Sequence, residues 1–424
     1  MARHAQESRG RLKRFFMKRF SKSICVVGLG YIGLPTSALL ADMGYIVSGV
    51  DIDSSVVDTI NNGGIHIAEP DLDNYVKASI NSGNLKAYIE PQHADVYMIC
   101  VPTPILTQND MLSPDLSYVY SAAKSISHLL KEGDMVILES TSPVGTTDKI
   151  RTIYENMNIN TDSIYIAYCP ERVLPGNIMS EIILNDRIVG GVNNQSTRIV
   201  SEFYETFVKG SILKTTAKTA EMCKLAENSF RDINIAYANE LSMICDNQDI
   251  DVWELIKLAN RHPRVNILRP GTGVGGHCIA VDPWFIVSEN QKQARIIKEA
   301  RLINDAKPKW VAEKIINKVN LLIIDDKKTP TVACFGLAFK PDIDDFRESP
   351  AIKVIDLLIE SGINVIVVEP NIDKHDSYKL VSFDEALEAD IIALLVGHKE
   401  LNEPKRKSEL IKLGALDFCG AINH

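Results

Sequence analysis

From Ser23 onward, short apolar runs alternate with amphipathic stretches. SICVVG (23–28) is β-branched and continuous, YIGLPTSALLADMG (31–44) has apolar residues at helical spacing, and YIVSGVDID (45–53) is again strand-like. ADVYMICVPTP (94–104) and DMVILEST (134–141) predict two more buried strands, each ending in Pro or Ser/Thr. Strands that alternate with helices in this way predict a parallel sheet covered by helices on both faces. From about Thr215 to Lys257 the pattern changes. TAKTAEMCKLAENSFRDINIAYANELSMICDNQ (216–248) predicts one long helix and no strand, a spacer and dimer contact between two α/β units. The last third repeats the opening grammar: TVACFGLAFKP (331–341) as strand and loop, AIKVIDLLIESG (351–362) as helix, NVIVVEPN (364–371) and ADIIALLVGH (389–398) as strands. The second copy has Gly336 but no GxGxxG, so it is expected to hold something other than a dinucleotide pyrophosphate.

The expected fold class is therefore α/β, with two Rossmann-like parallel-sheet domains joined by a helical middle domain with a long central helix. The expected boundaries are a basic extension (1–22), an N-terminal domain (23–212), a helical domain (213–318) and a C-terminal domain (319–424). A chain of 424 residues exceeds what one hydrophobic core usually holds, which fits several domains. A net charge of −9 argues against a nucleic-acid partner, and no apolar run reaches membrane-spanning length. The eight cysteines are scattered, without CxxC pairs or zinc-type spacing, so no metal site is expected and a reducing, cytoplasmic compartment fits. Cys25 and Cys100 lie inside apolar runs and read as small buried hydrophobes. Residues 1–22 carry eight Lys/Arg against Glu7 alone. They are either a solvated extension or a basic arm for anionic lipid, and not a secretory signal.

Three segments carry chemistry. Gly28-Leu29-Gly30-Tyr31-Ile32-Gly33 is a GxGxxG between a strand and a helix, with Asp51 ending the next strand. The glycines allow a tight turn, close approach to a pyrophosphate and close helix–strand packing, and the helix N-terminus offers free N–H groups. Asp51 suits the ribose hydroxyls and would repel a 2′-phosphate, favouring NAD over NADP. Gly275-Gly276-His277-Cys278, running on to Asp282-Pro283, places a cysteine behind paired glycines. Read alone, Cys278 is either a nucleophile on a tight turn or a buried thiol in a glycine loop. Lys224 and Asn228, four apart, share a helix face; they are either an oxyanion-stabilising pair or a solvated lysine beside a mid-helix asparagine. Glu171 and Lys340, taken singly, read as surface charges beside Pro/Gly loops.

Together these segments resemble the UDP-glucose/GDP-mannose dehydrogenase family. The resemblance runs from about Ser23 to near the C-terminus through VVGLGYIGLP, VPTP, ESTSPVG, YCPERVLPG, AEMCKLAENSFRD, GVGGHCIAVDP and GLAFKPDIDDFRESP, in order. It implies an N-terminal NAD domain, a dimerising helical middle and a C-terminal UDP-sugar domain. It also implies roles. Cys278 would be the nucleophile, Lys224 and Asn228 would stabilise the substrate oxygen, and Asp282 would position water. Glu171 would assist hydrolysis, and Thr141 would sit near the reacting end. The cofactor would be NAD, contacted by Gly28, Gly30, Tyr31, Ile32, Gly33, Asp51, Thr103, Thr141 and Arg347. The UDP-sugar would meet Glu171, Arg172, Val173, Lys224, Asn228, Gly275, His277 and Lys340, with Arg264 shared across a homodimer interface. The implied reaction is a four-electron oxidation at C6 through a thiohemiacetal and a thioester. ERVLPG, NSFRD and ANRHPRVNILRPGTGVGGHCIAVDPWF resemble members acting on UDP-N-acetyl-D-mannosamine in bacterial surface-polysaccharide synthesis. UDP-glucose members usually have a small residue where this chain has His277. UDP-N-acetylglucosamine is the runner-up, UDP-glucose follows, and a two-electron β-hydroxyacid-type dehydrogenase or a non-catalytic sugar-nucleotide sensor are the remote alternatives.

Overall fold

The computed structural model describes residues 23–108, 111–276, 278–326 and 330–422. The chain divides into two compact units, the first ending at Leu225 and the second beginning at Ala226. The basic extension and His277 lie outside the described residues.

Unit 1 is built on an eight-stranded sheet: β1 (Ser23–Val27), β2 (Ile46–Val50), β3 (Leu85–Tyr88), β4 (Val96–Ile99), β7 (Met135–Leu138), β8 (Tyr165–Tyr168), β9 (Arg187–Gly191) and β10 (Ile212–Thr216). A separate antiparallel hairpin is formed by β5 (Ile105–Gln108) and β6 (Met111–Pro114). The order across the sheet is β10-β9-β8-β7-β4-β1-β2-β3. Apolar runs without alternation, such as the wholly buried VYMI of β4 and MVIL of β7, are what a sheet covered on both faces requires. The pairing is parallel except at one junction, where β8 and β9 run antiparallel with Ala167 opposite Gly191 and Tyr168 opposite Gly190. The expected all-parallel pattern thus changes direction at β9. A Cβ on Gly190 would lie 2.3 Å from Thr216 O and one on Gly191 2.3 Å from Thr197 N, so this end of the sheet packs too tightly for larger residues.

Six helices carry or adjoin the candidate residues. In unit 1 these are α1 (Gly33–Asp42), buried on nearly every side, and α2 (Thr146–Asn156). The long helix α3 (Ala217–Asn247) begins directly after β10 and runs on into unit 2. The strand preceding it, Ile212–Thr216, pairs with β9, so the sheet extends slightly past the start expected for the helical segment. In unit 2, α4 (Asp282–Glu289) is short, and α5 (Arg295–Asp326) is long with Pro308 inside it. The second sheet, β12-β11-β13-β14, is all parallel and uses β11 (Thr331–Phe335), β12 (Asn364–Val368), β13 (Ile391–Leu394) and β14 (Leu416–Asp417). Helix α6 (Pro350–Glu360) covers it, started by Ser349, whose hydroxyl accepts the Ile352 N–H. Two parallel-sheet regions and a helical stretch between them match the architecture read from the sequence.

Candidate active site

In unit 1 the turn after β1 is shaped by its glycines. A Cβ on Gly33 would lie 1.8 Å from Gly28 O, so α1 can approach β1 only because residue 33 lacks one. Gly30 is different: nothing lies within 4 Å of where its Cβ would be. That open face above a helix N-terminus is the space a pyrophosphate needs. Asp51, half-buried at the end of β2, accepts the Leu29 N–H at 3.0 Å, which ties the acid to the turn. Tyr31 and Ile32 are half-buried, Tyr31 packing on the core and Ile32 standing just before the first residue of α1. Thr103 donates its hydroxyl to Thr141 O at 2.8 Å, joining the two strand-end loops. These residues fit NAD, which supplies a hydride acceptor when bound.

Glu171 is buried, not a surface charge. Arg187 lies 2.6 Å from its Oε2, and the Arg172 N–H donates to its Oε1 at 2.6 Å. Burial opposes the Arg187 charge, but Glu171 and its acidic neighbours more than offset that and raise the Arg187 pKa. Breaking such a buried pair from one side costs about 3–5 kcal/mol. Next to it, burial pushes the Glu139 carboxyl up against the opposing pull of Arg187, and the Tyr204 hydroxyl donates to Glu139 Oε1 at 2.6 Å. Arg187, Glu139 and Tyr204 had no sequence signal, because each stands far along the chain from its partner. Arg172 is half-buried and donates to Asp186 O, and Val173 packs on the core.

Lys224 is half-buried near the start of α3. Three residues earlier, fully buried Glu221 accepts the N–H groups of Gly145 (2.6 Å) and Thr147 (2.8 Å) and the Thr147 hydroxyl (2.6 Å). Burial raises the Glu221 pKa despite these bonds. The carboxylate occupies the N-terminus of α2, which favours an anion, and it anchors the turn of α3 that carries Lys224. Its i, i+3 spacing from Lys224 was the available signal.

In unit 2, Asn228 and Asp282 are both buried, and the Asn228 amide donates to Asp282 Oδ2 at 2.5 Å. Cys278 is exposed, and its carbonyl accepts the N–H groups of Val281 and Asp282, closing a turn that leads straight into α4. Cys278 is therefore not a buried thiol. Removing the amide from a buried carboxylate would cost about 1.5–3 kcal/mol, so Asn228 is not a solvated mid-helix residue. Gly275 is pressed against the 339–348 loop: a Cβ there would lie 2.6 Å from Glu348 O. In that loop Lys340 is exposed, and Arg347 is exposed and held to Asp345 by Nε at 2.9 Å. Arg264 is exposed. Unit 1 thus gathers the dinucleotide turn, Thr103, Thr141 and Glu171; unit 2 gathers Asn228, Asp282, Cys278, Gly275 and Arg347. Among the described residues there is no cluster of three or more metal-type ligands, and no helix is long and apolar enough to cross a membrane.

Three segments match the UDP-glucose/GDP-mannose dehydrogenase family: its NAD binding domain over residues 22–208, its central domain over 218–306 and its UDP binding domain over 333–415. The chain is 52% identical over 405 residues to a UDP-N-acetyl-D-mannosamine dehydrogenase of Campylobacter jejuni, covering 91% of this chain and 98% of the relative. It is 49% identical to an NDP-N-acetyl-D-galactosaminuronic acid dehydrogenase of Ralstonia nicotianae, covering 90% and 92%. The fold is similar to that of a UDP-D-ManNAc dehydrogenase from Pyrococcus horikoshii, with a TM-score of 0.83 at 36% identity over 94% of this chain and 96% of the other. With its dinucleotide turn, its exposed cysteine before α4 and matches to all three domains, this chain belongs to the UDP-glucose/GDP-mannose dehydrogenase family of NAD-dependent oxidoreductases.

Proposed function

We propose that the chain oxidises the C6 hydroxymethyl group of UDP-N-acetyl-D-mannosamine to the carboxylate, consuming two NAD+ and one water and yielding two NADH and three protons. The observation that carries this reading is the turn at Cys278: an exposed thiol leading into a helix whose first residue, buried Asp282, is bonded to Asn228. After the first hydride leaves, the Cys278 sulfur adds to the C6 aldehyde to give a thiohemiacetal. That adduct is an alcohol, so a second hydride can leave and a thioester remains. Water held by Asp282 cleaves the thioester, releasing the acid and restoring the thiol. Lys224 and Asn228, one turn apart on α3, stabilise the negative charge that forms on the substrate oxygen. Glu171, kept in place by Arg187, takes part in the hydrolysis, with Thr141 near the reacting end. Lys340, Arg172, Val173 and Gly275 hold the UDP-sugar, and Arg347 reaches toward NAD.

The relative from Campylobacter jejuni supports the N-acetylmannosamine reading. The relative from Ralstonia nicotianae favours N-acetylgalactosamine as a second one. The deciding experiment is a panel of UDP-N-acetylmannosamine, UDP-N-acetylgalactosamine, UDP-N-acetylglucosamine and UDP-glucose with NAD+. Two NADH per sugar are expected, with the first substrate giving the highest kcat/KM. One NADH per sugar would instead indicate a two-electron enzyme. Cys278→Ser is expected to bind the UDP-sugar yet lower acid formation more than about 100-fold; undiminished acid would remove the covalent route.

The assembly we propose is a homodimer through α3. Phe230, Tyr237 and Ile244, seven residues apart, are 68%, 51% and 45% exposed, while Asn228, Asp232, Asn239 and Ser242 of the same helix are buried. A helix with polar groups inside and an apolar stripe outside needs a covering partner, and Arg264 would serve the partner's site. The location we propose is the cytoplasm, with the reaction ahead of surface-polysaccharide synthesis.

A further inference from the structure

The segment that leads to Cys278 is held by four polar side chains that take no part in the reaction proposed above. Asp232, Asn239, Arg301 and Asn304 are each at most 1% exposed. Their bonds converge on Asp232. Arg301 Nη1 donates to Asp232 Oδ1 at 2.6 Å, and Asn304 Nδ2 donates to the same oxygen at 2.8 Å. Asn239 Nδ2 then donates to Asn304 Oδ1 at 2.8 Å, and Asn239 Oδ1 accepts the Gly271 N–H at 2.9 Å. With both ends of the Asn239 amide engaged, its orientation is defined. The row joins α3, α5 and the backbone at Gly271.

Beyond Gly271 the backbone stays clamped. Thr272 Oγ1 donates to Leu395 O at 3.3 Å, and the Gly276 N–H donates to Arg347 O at 3.1 Å. Pro308 has no N–H, so the carbonyl of Asn304, four residues earlier in α5, lacks its helical donor. The chain passes over this notch at Gly273, where a Cβ would lie 3.2 Å from Asn304 O and 3.2 Å from Pro308 Cδ. Residues 271–276 are therefore a strap, bonded at one end to the buried row and at the other to the loop that carries Lys340 and Arg347. Cys278 lies two residues past its end.

We propose that Asp232, Asn239, Arg301 and Asn304 are positioning residues for Cys278: through the Gly271–Gly276 strap they set where the thiol stands relative to the 339–348 loop. This rests on the reading of Cys278 as the nucleophile. Asp232 Oδ2 and Arg301 Nε have no partner among the described residues, but Asp232 Oδ1 and both amides of the row are engaged, so a shift of Asn239 or Asn304 would leave further polar groups unpaired away from water. A nucleophile must be placed within a fraction of an ångström, and a misplacement of about 1 Å costs roughly 100-fold in rate. The first hydride transfer does not need the thiol and is expected to tolerate a loosened strap.

The test is single-turnover NADH formation from UDP-N-acetylmannosamine by full-length Asn239→Ala and Thr272→Val. Asn239→Ala is expected to slow the second NADH ~10- to 100-fold, while the first NADH and the KM for the UDP-sugar change less than about 3-fold. Bound UDP-sugar is expected to protect Cys278 of the unmodified protein against iodoacetamide, and Asn239→Ala should lose that protection. Asn239→Asp keeps the acceptor for Gly271 N–H and should restore part of the second rate. Thr272→Val, which leaves the buried row intact, should show the same split at roughly 3- to 10-fold. If Asn239→Ala does not fold, the Thr272→Val split decides alone. Folded variants in which both NADH form at the original rates, or slow equally, would overturn the proposal. Cys278→Ser that still forms acid would overturn the nucleophile reading instead, and the alkylation assay reports on strap and thiol whichever way that falls.

Discussion

The two parallel-sheet regions open with the same turn and then part. Gly28 N–H donates to Val50 O at 2.8 Å, and Gly336 N–H donates to Val368 O at 2.8 Å. Both glycines have positive φ, 95° and 103°. The next residue is leucine in both, and its N–H goes to the acid that ends the second strand: Leu29 to Asp51 and Leu337 to Glu369. The difference comes one residue later. The N-terminal copy has Gly30, with open space over it; the C-terminal copy has Ala338, wholly buried. The acids differ too. Asp51 has no salt bridge among the described residues, whereas Glu369 is engaged by His398 Nε2 at 3.3 Å, Asn371 Nδ2 at 2.8 Å and the N–H groups of Leu337 and Ala338. Burial would raise the Glu369 pKa, but His398 and these donors bring it down to about 2. One turn leaves open space over its glycine and an acid bonded, among the described residues, only to nearby backbone N–H groups; the other uses both positions to hold itself together. The first then needs only residues 28–32 to reach its helix, while the second spends 336–349 on a loop that carries Lys340 and Arg347.

This contrast can be broken in several ways. The largest effect is expected from Gly33→Ala, whose methyl would collide with Gly28 O; overpacking there should cost more than about 3 kcal/mol and abolish NAD binding. Calorimetry and NAD titration check it. Glu369→Gln should cost about 3 kcal/mol at neutral pH without changing the affinity for NAD. The sign follows from the lowered pKa: the carboxylate's contribution is complete above about 4.5, the value of the free side chain, and is lost as pH falls toward about 2. Acid unfolding of the Gln variant should lack that slope. Gly30→Ala should fold normally yet raise the KM for NAD ~10-fold, about 1.4 kcal/mol, leaving the UDP-sugar KM unchanged. A normal NAD KM would show that the open face over Gly30 is not where the pyrophosphate lies. The smallest effect belongs to Asp51→Asn: a rise in NAD KM of about 3-fold and weaker discrimination against NADP, read from the ratio of the two kcat/KM values.

Much of this was legible in the linear chain. Strands buried on both faces announce themselves as unbroken runs such as VYMI and MVIL. The GxGxxG turn is local, so its glycines and Asp51 could be placed from spacing alone, and so could the helix bearing Lys224 and Asn228. The reversal at β9 was not legible, because strand direction is set by which edge a strand joins and not by its residues. Nor were the supports of the site. Glu171 read as a surface charge because Arg187, its buried partner, stands sixteen residues away at the start of β9.

By itself, then, the sequence determined the elements and the dinucleotide turn, since each rests on contacts within a few residues. Only the tertiary structure decided which carboxylates are paired, that Cys278 is exposed, and that the strap before it is tied to Asp232, Asn239, Arg301 and Asn304. Those outcomes depend on burial, and burial is a property of what distant segments bring against a residue. A lone Asn or Arg looks the same in solvent-facing and buried stretches of sequence until its partner, dozens of residues away, arrives beside it.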